Sequence, residues 1–208
     1  MAALRAVVLD YGNVLSLEQE GDSVRRLEGL AGAEAELFAE AYWRHRDEYD
    51  RGTLAGEAYW QAVAADLGVE LGPGRVQELI AEDAQSWLRL DDRMVAWLRA
   101  LVSAGVPTGI LSNMSHDTWS HARPVFDWLD GLAATVLSFE VGLIKPEPGI
   151  YLECLRRMDT EPGETLFVDD RPVNVEAARG LGIVAVVFEG ADGLRAVLER
   201  LDGSLPLP

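Results

Sequence analysis

RAVVLDYGNVL, residues 5–15, decides how the rest of the chain is read. A short apolar run ends in the carboxylate of Asp10, and a Tyr-Gly-Asn turn signal follows before the chain becomes apolar again. An apolar run without polar alternation, closed by a turn, predicts a strand over residues 6–10 that is covered on both faces, as in a parallel sheet. In open sheets of that kind ligands bind in the crevice outside the carboxyl ends of the strands, which puts Asp10 at its floor. A helix N-cap or turn aspartate is the other reading of the same residue. The remaining strand ends decide between the two.

Further along, strands are predicted over 107–113, 134–139, 165–170 and 183–188. Helices are predicted between and after them. One starts at Asp91 and Asp92 and stops at Gly105, and the others cover 116–126, 147–158, 173–181 and 192–201. Repeated strand, helix, strand predicts an α/β fold with a doubly wound parallel sheet and right-handed crossovers. Residues 16–90 interrupt that pattern. They hold no convincing strand, and Leu30, Ala33, Leu37 and Ala41 recur at helical spacing. Gly52, Gly56, Gly68 and Gly72-Pro73 cut the stretch into three or four helices. The expected organisation is an α/β core of residues 1–15 and 91–208 with a helical insertion of residues 16–90. The tail GSLPLP, residues 203–208, is expected to fray.

With 208 residues, 49% apolar and 25% charged, the chain has globular composition and can bury a substantial core. Its formal charge of -17 repels phosphate backbones, and no basic stripe offsets it, so a nucleic-acid partner is not expected. An anionic substrate must instead be met by a metal or by a few placed cations. The single cysteine, Cys154, rules out an internal disulfide and reads as a small buried hydrophobe within YLECLRRM. No run approaches the length of a membrane span and no signal segment opens the chain, so a cytoplasmic protein without a membrane partner is expected.

The predicted strand ends gather one set of chemistry. The first gives Asp10, the second Ser112 and Asn113 (ILSN), the third leads into Lys145 (GLIKPEPGIY), and the fourth gives Asp169 and Asp170 (LFVDDRPVN). Three carboxylates share a small crevice only when protonated or bridged by a cation. Hard oxygen donors in small number suit Mg2+, which binds through one or two carboxylates plus substrate phosphate. Ser112 and Lys145 then supply donors to phosphate oxygens, and Lys145 is expected to keep Asp10 ionised at neutral pH.

The ordered set LDYGNVL, LSN, KPEPGIY and FVDDRPVN resembles the four sequential motifs of the haloacid dehalogenase-like hydrolases, over nearly the whole chain. The resemblance implies a Rossmann-like core with a helical cap between the first and second motifs, and DRGTLAGEAYW is similar to a stretch of such caps. It further implies that Asp10 is a nucleophile forming an aspartyl-phosphate, and that Ser112 and Lys145 hold the transferred phosphoryl group. Mg2+ would be bound by Asp10, the carbonyl of Gly12, Asp169 and Asp170, and Asn174 matches a further polar position of the fourth motif. The implied activity is hydrolysis of a small phosphorylated metabolite, such as a sugar phosphate.

Gly12 departs from the usual phosphatase pattern, in which a second aspartate two residues after the nucleophile acts as general acid and base. Such a group contributes about 100-fold to 10,000-fold. Its loss leaves three readings: a substrate with a good leaving group, as in members similar to alpha-glucose-1-phosphate phosphatase; an acid from the cap, with His45 and Asp47 as candidates; or a weak or inactive enzyme. His45, Ser112, Asn113 and Lys145 are the expected substrate-binding residues. Two rival functions remain open, a metal-independent 2-haloacid dehalogenase, whose nucleophile is commonly followed by a tyrosine as Tyr11 follows Asp10, and a catalytically inactive binding protein of the same fold. Tyr42, Trp43, Tyr49, Tyr59, Trp60 and Trp87 are expected mostly to pack between cap helices, with one or two facing the crevice.

Overall fold

The structure, a computed structural model, describes residues 3–201 and 205–208. After β1 (Ala6–Leu9) come five helices, α1 (Gly21–Ala31), α2 (Ala35–Arg44), α3 (Arg46–Arg51), α4 (Gly56–Leu67) and α5 (Pro73–Ser86). Alternation then resumes with α6 (Asp92–Ser103), β2 (Thr108–Ser112), α7 (His116–Ala122), β3 (Ala134–Leu137), α8 (Ser138–Val141) and α9 (Pro148–Met158). It closes with β4 (Thr165–Asp169), α10 (Pro172–Gly180), β5 (Val184–Val187) and α11 (Ala191–Leu201).

The strands form one sheet in the order β3-β2-β1-β4-β5, and every neighbouring pair is parallel. Both faces are covered, which is why β1 reads as an unbroken apolar run. Val7 and Leu9 pack with Leu98 and Leu101 of α6 and Leu194 and Leu198 of α11. Ala6 and Val8 point the other way, onto Ile150 and Leu155 of α9 and Val175 and Ala178 of α10. Each fully buried Val or Leu contributes roughly 1.5–3 kcal/mol. Cys154 lies in the second of these clusters, where burial pushes its thiol up to about 12, leaving it an inert hydrophobe.

Chain order leaves β1 on one side for β2 and β3 and returns on the other side for β4 and β5. The reversal therefore falls between β1 and β4, where doubly wound sheets open a crevice. The register pairs Leu9 with Val168, so the next residue of each strand brings Asp10 beside Asp169.

The helices α1–α5 bury a cluster of their own, with Phe38, Tyr42, Tyr59, Trp60, Val63 and Leu79 at its centre. They number five where three or four are expected, because the stretch before Gly52 breaks twice, at Gly32 (φ 70°), which separates Leu30 in α1 from Leu37 and Ala41 in α2, and at His45 (φ -106°, ψ 5°), which separates α2 from α3. The segment is tied to the helices flanking the sheet by Tyr49, whose hydroxyl donates to Asp117 of α7 (2.8 Å), and by Arg51, which forms a two-pronged pair with Glu147 at the start of α9 (2.6 and 2.9 Å).

Three further expectations are corrected. α7 stops at Ala122 instead of residue 126: Arg123 still has helical angles (φ -53°, ψ -43°), but Pro124 has no N–H with which to continue the ladder. The third strand ends at Leu137, because Ser138 turns into α8 and its hydroxyl both donates to the Asp50 carbonyl and accepts from the Met114 N–H. The described part of the tail does not fray: Leu205 is buried, and the Pro206 carbonyl accepts a 2.7 Å hydrogen bond from Trp97 Nε1. Gly203 and Ser204 lie outside the described residues. No helix among the described residues is long and apolar enough to cross a membrane.

Candidate active site

Asp10 sits one residue past β1, and its N–H still donates to the Val168 carbonyl of β4 (2.9 Å). That places its buried side chain at the reversal point. Its Oδ1 accepts from the Tyr11 N–H (2.7 Å) and pairs with Lys145 Nζ (2.7 Å). Lys145 Nζ also pairs with Asp169 Oδ2 at 2.7 Å. The ammonium is thus clamped between the two strand-end carboxylates, while Oδ2 of Asp10 takes no hydrogen bond from the described residues.

Each partner is fixed in turn. Asn113 grips the Lys145 backbone reciprocally, its Oδ1 accepting from the Lys145 N–H (2.8 Å) and its Nδ2 donating to the Lys145 carbonyl (3.0 Å). Its side-chain amide is therefore occupied in positioning the lysine, while the residue itself still lines the cavity. Asp169 is fully enclosed and accepts from Asn174 Nδ2 (2.9 and 3.1 Å) and the Arg171 N–H (2.9 Å). Asp170 faces outward and accepts from Asn13 Nδ2 (2.9 Å). Asn13 adopts positive φ (57°), a conformation that Asn tolerates better than most residues.

Burial pushes the Asp10 carboxyl up to about 8, against the pull of Lys145 and with the help of Asp169 and Asp170. Lys145 alone therefore does not keep Asp10 ionised at neutral pH, as the sequence led us to expect. Burial also acts to raise Asp169, but Lys145, the Arg171 N–H and Asn174 together hold it below its ordinary value. Lys145 loses affinity for its proton through burial and regains more from its two carboxylates, so it stays charged.

Asp10, Asp169 and Asp170 each offer an oxygen within 4.8 Å of the others. Three carboxylates against one ammonium leave a surplus of negative charge, and the donors are all hard oxygens. That chemistry fits a small divalent cation such as Mg2+.

A cavity of about 600 Å³ opens in front of this edge. The core contributes Asp10, Gly12, Ser112, Asn113, Lys145, Asp170 and Arg171; α2, α3 and the end of α5 contribute Trp43, Arg46, Asp47, Asp50 and Trp87. Ser112 is buried and its hydroxyl makes only a long contact with the Asn113 carbonyl (3.4 Å), which leaves it available to a ligand. The structure does not bring His45 to the cavity: its Nε2 lies 2.9 Å from Asp66 Oδ2, and the neighbouring Arg46 and Asp47 line the wall instead. Of the aromatic set, Tyr42, Tyr49, Tyr59 and Trp60 are buried, and Trp43 and Trp87 face the cavity. A Cβ on Gly12 would meet only the Trp87 ring, at 3.8 Å, and Gly12 is not among the positive-φ glycines.

Asn13, Asp50 and Arg171 were not singled out in the sequence. Asp50 was signalled by its helical i,i+4 spacing from Arg46, Arg171 by its place after the Asp169–Asp170 pair, and Asn13 by its turn.

The haloacid dehalogenase-like hydrolase family profile matches residues 4–182, and the chain belongs to that family. Among curated relatives, it is 29% identical over 143 residues to the sesquiterpene phosphatase astK of Aspergillus oryzae, covering 67% of this chain and 70% of the relative. It is 26% identical over 205 residues to the D-ribitol-5-phosphate phosphatase of Bacteroides thetaiotaomicron (91% and 94% covered). It is 28% identical over 196 residues to the (S)-2-haloacid dehalogenase 1 of a Pseudomonas species (89% and 85% covered). The chain spans 39% of the length of the bifunctional epoxide hydrolase 2 of Sus scrofa, which it matches over 97% of its own. In fold it is similar to a crystal structure of a family enzyme from Bacteroides thetaiotaomicron, with a TM-score of 0.78, 18% identity, and 94% of this chain and 98% of the other covered.

Proposed function

We propose that the protein is a Mg2+-dependent phosphatase of a small phosphorylated metabolite, acting through an aspartyl-phosphate on Asp10, and that residues 16–90 form a cap over a core of residues 1–15 and 91–208. The observation that carries this reading is the three-carboxylate edge, in which Lys145 orients Asp10 by one oxygen and leaves Oδ2 open to the cavity.

In this reading Oδ2 of Asp10 attacks phosphorus in line, the P–O bond to the alcohol breaks, and the departing oxygen takes its proton from solvent, since Gly12 offers no acid. Water then attacks phosphorus, the bond to Asp10 breaks, and phosphate leaves with the carboxylate restored. Ser112 and the N–H groups beside it donate to phosphoryl oxygens, and Lys145 offsets the negative charge of nucleophile and substrate. Asp10, Asp169, Asp170 and the Gly12 carbonyl are the residues that would hold Mg2+, which supplies charge neutralisation at the phosphoryl group. The named phosphatase relatives support this assignment.

The rival is halide displacement at carbon, supported by the dehalogenase relative and by Tyr11. A carbon-directed reaction has no use for a third carboxylate beside an already paired nucleophile. Phosphate release from an aryl phosphate and chloride release from 2-chloropropionate, each measured with Mg2+ and with chelator, separate the readings. Mg2+-dependent phosphate release is expected; metal-independent chloride release would replace this assignment with the dehalogenase, and no release of either with a binding protein.

A further inference from the structure

The helical part of the cavity wall carries more negative than positive charge. Its arginine, Arg46, is already engaged: Nε is 2.9 Å from Asp50 Oδ1, Nη1 is 3.1 Å from Asp83 Oδ2, and the Tyr42 hydroxyl accepts from the same Nη1. The guanidinium lies 5.3 to 6.0 Å from the ring centres of Tyr42, Tyr49 and Trp87, and its side chain is 7% exposed. Turning it toward a ligand would strand two buried carboxylates, a strongly unfavourable exchange. Asp47, on the next position of α3, is exposed, lines the cavity and forms no ion pair or hydrogen bond among the described residues. Two lining carboxylates, Asp47 and Asp50, thus stand against one guanidinium that is also tied to the buried Asp83 behind it, and the indoles of Trp43 and Trp87 add apolar surface to the same wall. The other two cavity cations belong to the core edge: Lys145, paired with Asp10 and Asp169, and Arg171, which follows Asp170.

We propose that this wall selects phosphate monoesters whose alcohol half is uncharged, and that it rejects esters carrying a carboxylate or a second phosphate there. The inference rests on the phosphatase reading and adds the substrate class to it. The alcohol packs against Trp43 and Trp87 and offers hydroxyls to Asp47. An added anion meets Asp47, which no cation pairs among the described residues, with Asp50 and Asp83 behind it sharing the single charge of Arg46. Asp47 is then a specificity-determining residue.

The test uses two aryl phosphates with similar leaving groups, 4-(hydroxymethyl)phenyl phosphate and 4-carboxyphenyl phosphate, assayed for phosphate release with Mg2+. The neutral ester is expected to have at least about tenfold higher kcat/KM, with the preference shrinking as ionic strength rises. Asp47→Asn should narrow the ratio severalfold and Asp47→Lys should reverse it. Equal kcat/KM for the two esters, or a ratio unchanged in both variants, would overturn the inference while leaving the phosphatase reading intact. Failure of both esters, with p-nitrophenyl phosphate also untouched, would bring down the phosphatase reading and the inference with it.

Discussion

Two buried cations in this molecule each stand between two carboxylates, and the two arrangements differ in what they leave open. Lys145 links Asp10 and Asp169 at the strand ends, beside a third carboxylate, Asp170, and with one oxygen of Asp10 still facing the cavity. Arg46 links Asp50 and Asp83 inside the helical segment, and there the Tyr42 hydroxyl and three aromatic rings close the remaining sides. A compact ammonium can hold a nucleophile by one atom and leave its partner oxygen free. A planar guanidinium instead takes several partners at once, and here it joins α2, α3 and α5 through Tyr42, Asp50 and Asp83. The first cluster holds charge ready for chemistry, and the second uses charge to fix a wall.

Replacing the two cations in parallel would break or sharpen that contrast. Lys145→Ala should lower kcat on the order of 1000-fold, the loss expected when a placed donor to developing charge is removed. Both variants leave two buried carboxylates without their counterion and should destabilise the fold by about 3–5 kcal/mol, but Arg46→Ala should keep kcat per folded molecule within about tenfold of the parent. Thermal melts and kcat per folded molecule for both variants decide this. A loss of kcat per folded molecule in Arg46→Ala as large as in Lys145→Ala would reverse the assignment.

A smaller effect is expected at Gly12. The backbone there is not left-handed and only Trp87 lies near a new Cβ, so Gly12→Asp should fold as the parent does. If leaving groups now depart without an acid, kcat/KM of the parent should fall steeply as leaving-group pKa rises. The added carboxyl should then raise turnover of alkyl phosphates by about 10-fold to 100-fold and flatten the dependence. A parent already indifferent to leaving-group pKa would show that an acid is present elsewhere, and Asp47→Asn would test the cavity carboxylate nearest that role.

The smallest effect is on stability against pH. Without metal, the folded state keeps the Asp10 proton up to about 8, whereas the unfolded chain loses it near the ordinary value of 3.8. Between those values the native state binds the extra proton, so this residue's contribution makes stability fall as pH rises. Melts in chelator should give a Tm several degrees lower at about pH 8 than at about pH 5, and Asp10→Asn, which cannot ionise, should remove most of that slope. The same slope in both proteins would contradict the burial of an uncompensated carboxyl.

The core edge was legible in the sequence because its signals are local. An apolar run ending in Asp10, another ending in Asp169–Asp170, and intervening helical periods together fix a parallel sheet and the edge at which its carboxylates meet. The wall of the helical segment was less legible. One residue along a helix turns a side chain by about 100°, so the break at His45, which resets the phase between α2 and α3, decides that Arg46 and Asp47 face the cavity while His45 meets Asp66. The hold of the Asn113 side chain on Lys145 was hidden for a different reason: the backbone that occupies its amide lies 32 positions away, and no local pattern reports that pairing. The raised carboxyl of Asp10 likewise follows from depth of burial, which the neighbouring residues in sequence do not specify.

The central claim is that Asp10 is the atom donor to phosphorus, and the most direct measurement is rapid quenching of the enzyme in acid during turnover of a phosphate-labelled aryl ester with Mg2+, followed by reduction with borohydride and mass analysis of the peptide that contains residue 10. The account predicts labelled protein during turnover, conversion of Asp10 to homoserine on reduction, and neither in Asp10→Asn. Turnover with no covalent label, or label on any residue other than Asp10, would contradict it.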